Sequence, residues 1–250
     1  MATTLQRQLQ SLADLSLRKA LMKGLLNQGP PQDAAYQLNE LCEDCLLSHR
    51  RRDVLLAVAV ALTGFDDEHR LMQLREAATL RGYLTVERLL RRGASNASTL
   101  DVEEPLPPNV ERRRELTVGE RRSLARRPDR SLFPALLRDP HPLVIRQLLH
   151  NPRLVEQDLL ELVAERPARS TLMQELAQSE RWLSRERLRN ALLLHPGTPD
   201  FLAMPLFLVC TRPLLGQVMR SPELPASRRL AAREHLRLRP PWPPTPETTH

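Results

Sequence analysis

The hydrophobic positions between residues 4 and 92 recur every three or four residues, a spacing that predicts α-helices. One such run, from Leu5 to Leu26, ends where Gln-Gly-Pro-Pro follows at 28–31, because glycine and proline stop helices. Single glycines interrupt the pattern further along the chain. These glycines are Gly64, Gly82 and Gly93. The pattern therefore predicts a helical module of four or five helices over residues 1–92.

Two stretches of this module predict how it is buried. After Asp33, a plausible helix cap, an apolar stripe lies on one helical face. The stripe consists of Leu38, Leu41, Cys42, Cys45 and Leu46. The segment from Val54 to Leu62 is apolar on all sides, as expected of a central helix.

Leucine-rich segments of helix length continue after residue 117, but prolines now separate them. Seventeen of the 22 prolines lie beyond residue 127. Short helices separated by prolines are typical of a helical repeat array, in which each unit leaves an apolar face that only its neighbour covers. Pro167 follows Pro140 by 27 residues and starts a second unit. Asp139 and Asn151 each precede a proline and are predicted to cap helices.

The clearest unit runs from Asp139 to Leu154 and contains Asp-Pro, Val144, Arg146 and Asn-Pro in order. This unit resembles the leucine-rich repeat variant motif, a relative of HEAT-type helical repeats. Weaker echoes occupy residues 165–183, 194–199 and 220–225. The resemblance implies a short α-solenoid of degenerate HEAT-like repeats and a function in binding. The expected fold is all-α, with an N-terminal helical bundle followed by this solenoid.

Composition between and after these segments suggests the domain boundaries. Residues 93–116 are small, polar, acidic and proline-rich, which predicts a flexible linker. The helical repeat domain is expected over 117–237 and a proline-rich tail over 238–250, either disordered or a ligand for an aromatic-lined groove. In the alternative, the helices before and after the linker form one continuous array.

The net charge of +7 is concentrated in the C-terminal part of the chain. Residues 117–250 carry 21 Lys+Arg against 14 Asp+Glu, and the only lysines of the chain are Lys19 and Lys23. An arginine excess suits an anionic partner, either nucleic acid or an acidic protein face. It is also consistent with a simple preference for arginine on solvated helix faces.

Several side chains at the polar faces and junctions of the predicted repeats are candidates for partner binding. They are Arg146, His150, Arg153, Arg169, Trp182, Arg185, Arg189 and Arg212. A solenoid aligns equivalent positions into one surface, and guanidinium groups suit carboxylate or phosphate. The junction histidines also include His141 and His195, for which a cap or surface role is the alternative. For Trp182 the alternatives are a binding anchor and packing between units.

Cys42, Cys45 and His49 would project from one face of a helix and are all zinc-ligand types. A structural zinc site needs a fourth ligand, and the sequence has no second C-x-x-C or H-x-x-x-H. The two cysteines also continue the apolar stripe, which favours core packing. No cofactor is predicted.

The sequence lacks the motifs of common enzyme classes. Its eight glycines stand singly, without a phosphate-binding loop, and no G-x-S-x-G occurs. Three cysteines provide no disulfide framework, and no apolar stretch has the length of a membrane span, so we expect a cytoplasmic protein. A HEAT-like DNA glycosylase is a remote alternative, since it needs aromatic stacking and the chain has only eight aromatic residues.

These patterns predict a non-enzymatic scaffold or adaptor that binds another protein, one with an acidic face, through its helical-repeat surface. The alternative is a nucleic-acid-binding repeat protein that uses an arginine-rich face.

Overall fold

A computed structural model describes residues 4–46, 52–91, 116–166 and 169–238. Across these ranges every regular element is a helix and none is a strand. The all-α fold predicted from the sequence is therefore confirmed. We refer to residues 4–91 as the N-terminal half and to residues 116–238 as the C-terminal half.

The N-terminal half contains six helices among its described residues. They are α1 (Thr4–Ser11), α2 (Leu15–Asn27), α3 (Pro31–Leu46), α4 (Arg52–Thr63), α5 (Glu68–Arg81) and α6 (Leu84–Leu89). The prediction of one continuous helix from Leu5 to Leu26 is wrong, because the chain breaks between α1 and α2. The Asp14 side chain accepts a hydrogen bond from the Ser16 backbone N–H at 3.1 Å and caps α2.

The other helix ends follow the sequence signals. Gly29, after α2, and Gly82, which caps α5, have φ of 69° and 71°, a backbone conformation that favours glycine. Helix α3 begins at Pro31, so Asp33 lies in its first turn rather than at its cap. The predicted apolar stripe of α3 is buried, and α4 is buried on nearly all sides, with Leu56 its one partly exposed residue between Val54 and Leu62.

The C-terminal half consists of shorter helices. They are α7 (Val118–Arg126), α8 (Phe133–Leu137), α9 (Pro142–Leu149), α10 (Glu156–Val163), α11 (Ser170–Gln178), α12 (Glu180–Leu183), α13 (Glu186–Leu194), α14 (Asp200–Leu206), α15 (Arg212–Arg220) and α16 (Ala226–Leu238). Before α16, no described helix of this half is longer than nine residues. Such short helices have little stability of their own and depend on packing against their neighbours.

Asp139 and Asn151, which the sequence predicted as helix caps, do not cap helices, whereas His141, before Pro142, does. His141 caps α9, while Asp139 is buried, accepts from the His141 N–H at 2.8 Å and pairs with Arg121. Asn151 is also buried, and its amide donates to the backbone oxygens of Ala125 and Arg127 at 2.8 and 2.9 Å. The reason is that α9 begins at Pro142 and α10 at Glu156, so neither residue stands at a cap position, and both side chains bond to α7 or its C-terminal end instead.

Equivalent bonds recur at a nearly constant distance along the sequence. The Trp182 indole donates to the Leu149 oxygen, His195 bonds the Glu165 oxygen and Arg228 donates to the His195 oxygen. These bonds and the Asn151 bond to Ala125 join residues 26 to 33 positions apart. Each acceptor lies at or just beyond the C-terminal end of a helix, so each bond ties that end to a later part of the chain.

Helices of the two halves pack in shared rows. In one row α7 lies on α9, α9 on α11, α11 on α4 and α4 on α14. In the other row α8 contacts α10, α10 contacts α13 and α13 contacts α15. The apolar helix α4 of the N-terminal half thus lies between two helices of the C-terminal half, which accounts for its burial on nearly all sides.

Polar contacts also cross this seam between the halves. The Gln178 amide donates to Asp66 at 2.9 Å, and Arg88 pairs with Glu234 at 3.0 Å. At Gly64 the approach is so close that an added Cβ would lie 2.9 Å from the Gln178 Oε1 atom. Glycine at this position therefore permits the contact as well as following the end of α4.

Parts of the predicted domain division lie outside the described residues. These parts are residue 92 at the end of the helical module, residues 93–115 of the linker and residues 239–250 of the tail. Leu238, predicted to begin the tail, is the last residue of α16.

Candidate functional site

A cleft of about 540 Å³ opens at the seam, where the start of α2 faces α9, α11 and α12. It is lined by Asp14, Leu15, Ser16, Arg146, Leu149, His150, Glu175, Gln178, Ser179, Glu180, Arg181 and Ser184. We call it the seam cleft. Its volume lies within the range of about 300–1,000 Å³ that is common for ligand pockets. Ten of its twelve lining residues have polar side chains, which can hold a ligand through hydrogen bonds and charge.

The Arg146 and Glu175 side chains form a two-pronged ion pair in the cleft wall. The Arg146 Nε and Nη2 atoms donate to the two carboxylate oxygens of Glu175 at 2.8 and 2.9 Å. The hydrogen bonds to Glu175 raise the pKa of Arg146 above its usual range. The Glu175 side chain is only 6% exposed, whereas that of Arg146 is 54% exposed. The pair therefore presents a guanidinium group, and not a carboxylate, to solvent.

Arg181 occupies the next position along the wall and is held by backbone oxygens. Its Nη1 donates to the Leu149 and Asn151 oxygens at 3.3 and 3.0 Å, and its Nη2 donates to the Leu154 oxygen at 3.3 Å. The guanidinium carbon also lies 4.4 Å from the centre of the Trp182 ring. Trp182 itself is buried and acts as a support beneath Arg181.

The start of α2, in the N-terminal half, forms the opposite wall, and the two carboxylates there, Asp14 of α2 and Glu180 of α12, are each offset by a nearby positive group. Glu180 accepts from the Lys19 ammonium at 2.9 Å. Burial raises the pKa of Glu180, but hydrogen bonds from Ser16 and Lys19 outweigh this effect and lower the pKa overall. The Asp14 carboxylate caps α2, where the positive end of the helix dipole offsets its charge.

His150 is exposed at the C-terminal end of α9. Its Nδ1 lies 2.7 Å from the Arg146 backbone oxygen, and because a carbonyl oxygen only accepts, Nδ1 is the donor. The other ring nitrogen, Nε2, is left for a ligand. Arg146, His150 and Arg181 thus place three nitrogen-bearing side chains along one wall.

The structure brings together only two of the eight candidate residues, Arg146 and His150. Arg153 and Arg185 are exposed outside the cleft lining, and Arg212 donates to the Leu236 oxygen. Arg169 is half-buried, 3.9 Å from Glu165. That these four residues contact a partner stays a prediction.

Two further candidates are buried. Trp182 is 2% exposed and Arg189 is 8% exposed, with its guanidinium donating to the Leu183 oxygen. Of the two alternatives for Trp182, packing between units describes its position. Neither side chain is accessible to a partner in this structure, so the candidate residues do not form one continuous surface stripe.

The sequence reasoning missed most of the cleft, including Asp14, Glu175, Glu180 and Arg181. The sequence does carry a signal for Glu175. It follows Arg146 by 29 positions, close to the 27 positions that separate Pro140 from Pro167. Opposite charges separated by about one repeat length are candidates for pairing between neighbouring units. No comparable local signal marks Arg181, whose position depends on backbone oxygens.

Cys42 and Cys45 are not joined in a disulfide, and both are buried in the apolar core. Burial raises the pKa of the Cys42 thiol, which keeps it protonated and disfavours metal binding. His49, the third member of the predicted cluster, lies outside the described residues. Within the described ranges no group of three or more His, Cys, Asp or Glu side chains is arranged to hold a metal ion.

Comparison of the chain with protein-family models, with curated proteins and with solved structures finds no match. Among the helices that the structure describes, none combines the length and apolar character that crossing a bilayer requires.

Proposed function

We propose that this chain is a protein-binding module of the helical-repeat type, whose seam cleft holds a segment of a partner protein. The observation that carries the proposal is the cleft itself, which joins both halves and presents side chains fixed by Glu175, by backbone oxygens and by the Trp182 ring. Groups fixed before binding lose little conformational entropy when a ligand arrives.

The recurring ties between helical units support the repeat part of the proposal. Side chain to carbonyl bonds join residues 26 to 33 positions apart, which matches the unit length expected from the proline spacing. The two rows of helices fit a short solenoid of HEAT-like repeats, in which α4 takes a place between α11 and α14. In this interpretation the N-terminal half completes the array and adds the second wall of the cleft.

A protein partner is favoured over nucleic acid by the way the arginines are used. Several arginines of the C-terminal half are neutralised by nearby carboxylates. Such pairs are Arg121–Asp139, Arg130–Asp158, Arg138–Glu165 and Arg146–Glu175. Nucleic-acid binding needs unneutralised cations along a phosphate backbone. The cleft lining also has no Phe, Tyr or Trp side chain on which an extruded base would stack, so we favour binding over glycosylase chemistry.

Site-specific photo-crosslinking tests this function. A photoreactive amino acid replaces Ser184, which is exposed in the cleft, or Ser123, which is exposed on α7. The two serines are matched, because each hydroxyl donates to a backbone oxygen of its own half. In a lysate of the source cells, we expect a discrete adduct at Ser184 that protease removes and nuclease does not.

The Ser123 position should give no such adduct. Equal adducts at both positions, or nuclease-sensitive adducts at Ser184, would contradict a protein-binding cleft. The nuclease-sensitive result would support the nucleic-acid alternative instead.

A further inference from the structure

The charges that line the seam cleft cancel in pairs, with one exception. Glu175 neutralises Arg146, Lys19 neutralises Glu180, and the dipole of α2 offsets Asp14. Arg181 forms no ion pair with any carboxylate that the structure describes, and its contacts are with backbone oxygens and an aromatic ring. The unneutralised charge in the cleft is therefore a single immobilised guanidinium group.

The hydrogen-bonding capacity of Arg181 is only partly used. A guanidinium group has five N–H donors, and the three backbone oxygens accept from Nη1 and Nη2. The Nε–H and the second Nη2–H stay without a described acceptor. Nε and Nη2 share one edge of the planar group, and N–H bonds on such an edge have the fork geometry that matches the two oxygens of a carboxylate.

We propose that the free edge of Arg181 recognises the carboxylate of an Asp or Glu side chain in the segment that the cleft holds. The inference rests on the proposed function and specifies its ligand. Arg146 assists, because its Nη1 has no described acceptor and its side chain is half exposed on the same wall. His150, one helical turn from Arg146, offers Nε2 for a further hydrogen bond.

The chemistry of the cleft favours a carboxylate over a phosphate group. A phosphate dianion is best neutralised by two or more free cations, whereas the cleft provides one. A single carboxylate matches the single free guanidinium edge in both charge and hydrogen-bond count. Serine and glutamine side chains along the lining, at positions 16, 178, 179 and 184, suit the peptide groups on either side of that carboxylate.

Selection from a display library of short random peptides tests the proposal with the full chain as bait. The peptides are joined to the display protein at their C-termini, so only side-chain carboxylates are offered. We expect the wild-type chain to enrich Asp or Glu at one fixed position. The Arg181→Gln variant should lose this enrichment, and the Arg185→Gln variant should keep it. Arg185 is the matched control, because it is an exposed arginine nearby that does not line the cleft.

A coupling measurement separates recognition from a structural role of Arg181. Changing the selected Glu to Gln in a synthetic peptide should weaken binding to the wild-type chain about 10- to 100-fold, the cost of losing a charged hydrogen-bonded pair. The same change should have little effect on binding to Arg181→Gln, which removes both the charge and the fork, and an intermediate effect on binding to Arg181→Lys, which keeps the charge alone. An equal loss in the wild-type chain and in Arg181→Gln would overturn the proposal.

Different results would refute carboxylate recognition and protein binding. Selection of neutral or basic peptides that compete with the Ser184 adduct would refute carboxylate recognition and leave protein binding intact. Selection of phosphopeptides or free C-termini over Glu peptides, from libraries that offer them, would likewise overturn the choice of a side-chain carboxylate. A selection that yields no peptide with the wild-type chain would count against both.

Discussion

The two halves of this molecule hold their helices together in different ways. The N-terminal half has helices of up to 16 residues and contains one apolar helix, α4, whose residues from Ala57 to Thr63 are all buried. The C-terminal half has short helices joined by buried polar side chains that donate to the ends of earlier helices. Apolar packing tolerates many arrangements, whereas hydrogen bonds to particular carbonyl oxygens fix one position. The seam cleft therefore takes its fixed wall from the C-terminal half.

The largest expected effect comes from placing a charge in α4. Val58 is fully buried, so Val58→Asp introduces an unpaired buried carboxylate that should cost more than about 4 kcal/mol of unfolding free energy. Because α4 packs on helices of both halves, chemical denaturation followed by circular dichroism should show both halves destabilised. Leu80→Asp, at a position that is 79% exposed, should change the stability by no more than about 0.5 kcal/mol. Loss of the N-terminal half alone in Val58→Asp would contradict the shared packing of α4.

A smaller effect is expected when one polar tie of the C-terminal half is removed. Asn151→Ala leaves the Ala125 and Arg127 oxygens without their donor, at a cost of about 2 kcal/mol. The control is Asn190→Ala on α13, a partly exposed position where the change should stay within about 0.5 kcal/mol. Urea denaturation measures both variants. Equal stability of the two would show that the ties contribute nothing specific.

The smallest effect concerns pH. Burial lowers the pKa of His195 below its ordinary value of 6.5, and Arg166 and Arg228 lower it further against the opposing effect of the Glu165 carbonyl. The folded state thus binds fewer protons than the unfolded state. The contribution of neutral His195 to the unfolding free energy is therefore complete above about pH 6.5 and is lost as the pH falls through the folded-state pKa. The unfolding free energy should therefore drop less between pH 7.5 and pH 5.5 in His195→Gln than in the wild type. An identical drop in both proteins would contradict this assignment.

The sequence predicts the helices of this protein better than it predicts the cleft. The apolar spacing of α3 and α4 is a local property, so their buried faces could be recognised in advance. The break before α2 was missed because Leu9, Leu12 and Leu15 keep helical spacing through it, while the Asp14 cap gives only a weak signal. Arg146 and Glu175 meet only because their units stack, and Arg181 is positioned by carbonyl oxygens that no side-chain pattern reveals.

If both halves form one binding site, a photoreactive residue on either wall of the seam cleft should crosslink to the same partner. The photoreactive residue is placed at Ser16 of the N-terminal half in one protein and at Ser184 of the C-terminal half in another, both within the cleft lining. We expect that both positions capture the same protein and that Arg181→Gln weakens both adducts. Capture from one wall only, or of unrelated partners from the two walls, would contradict it.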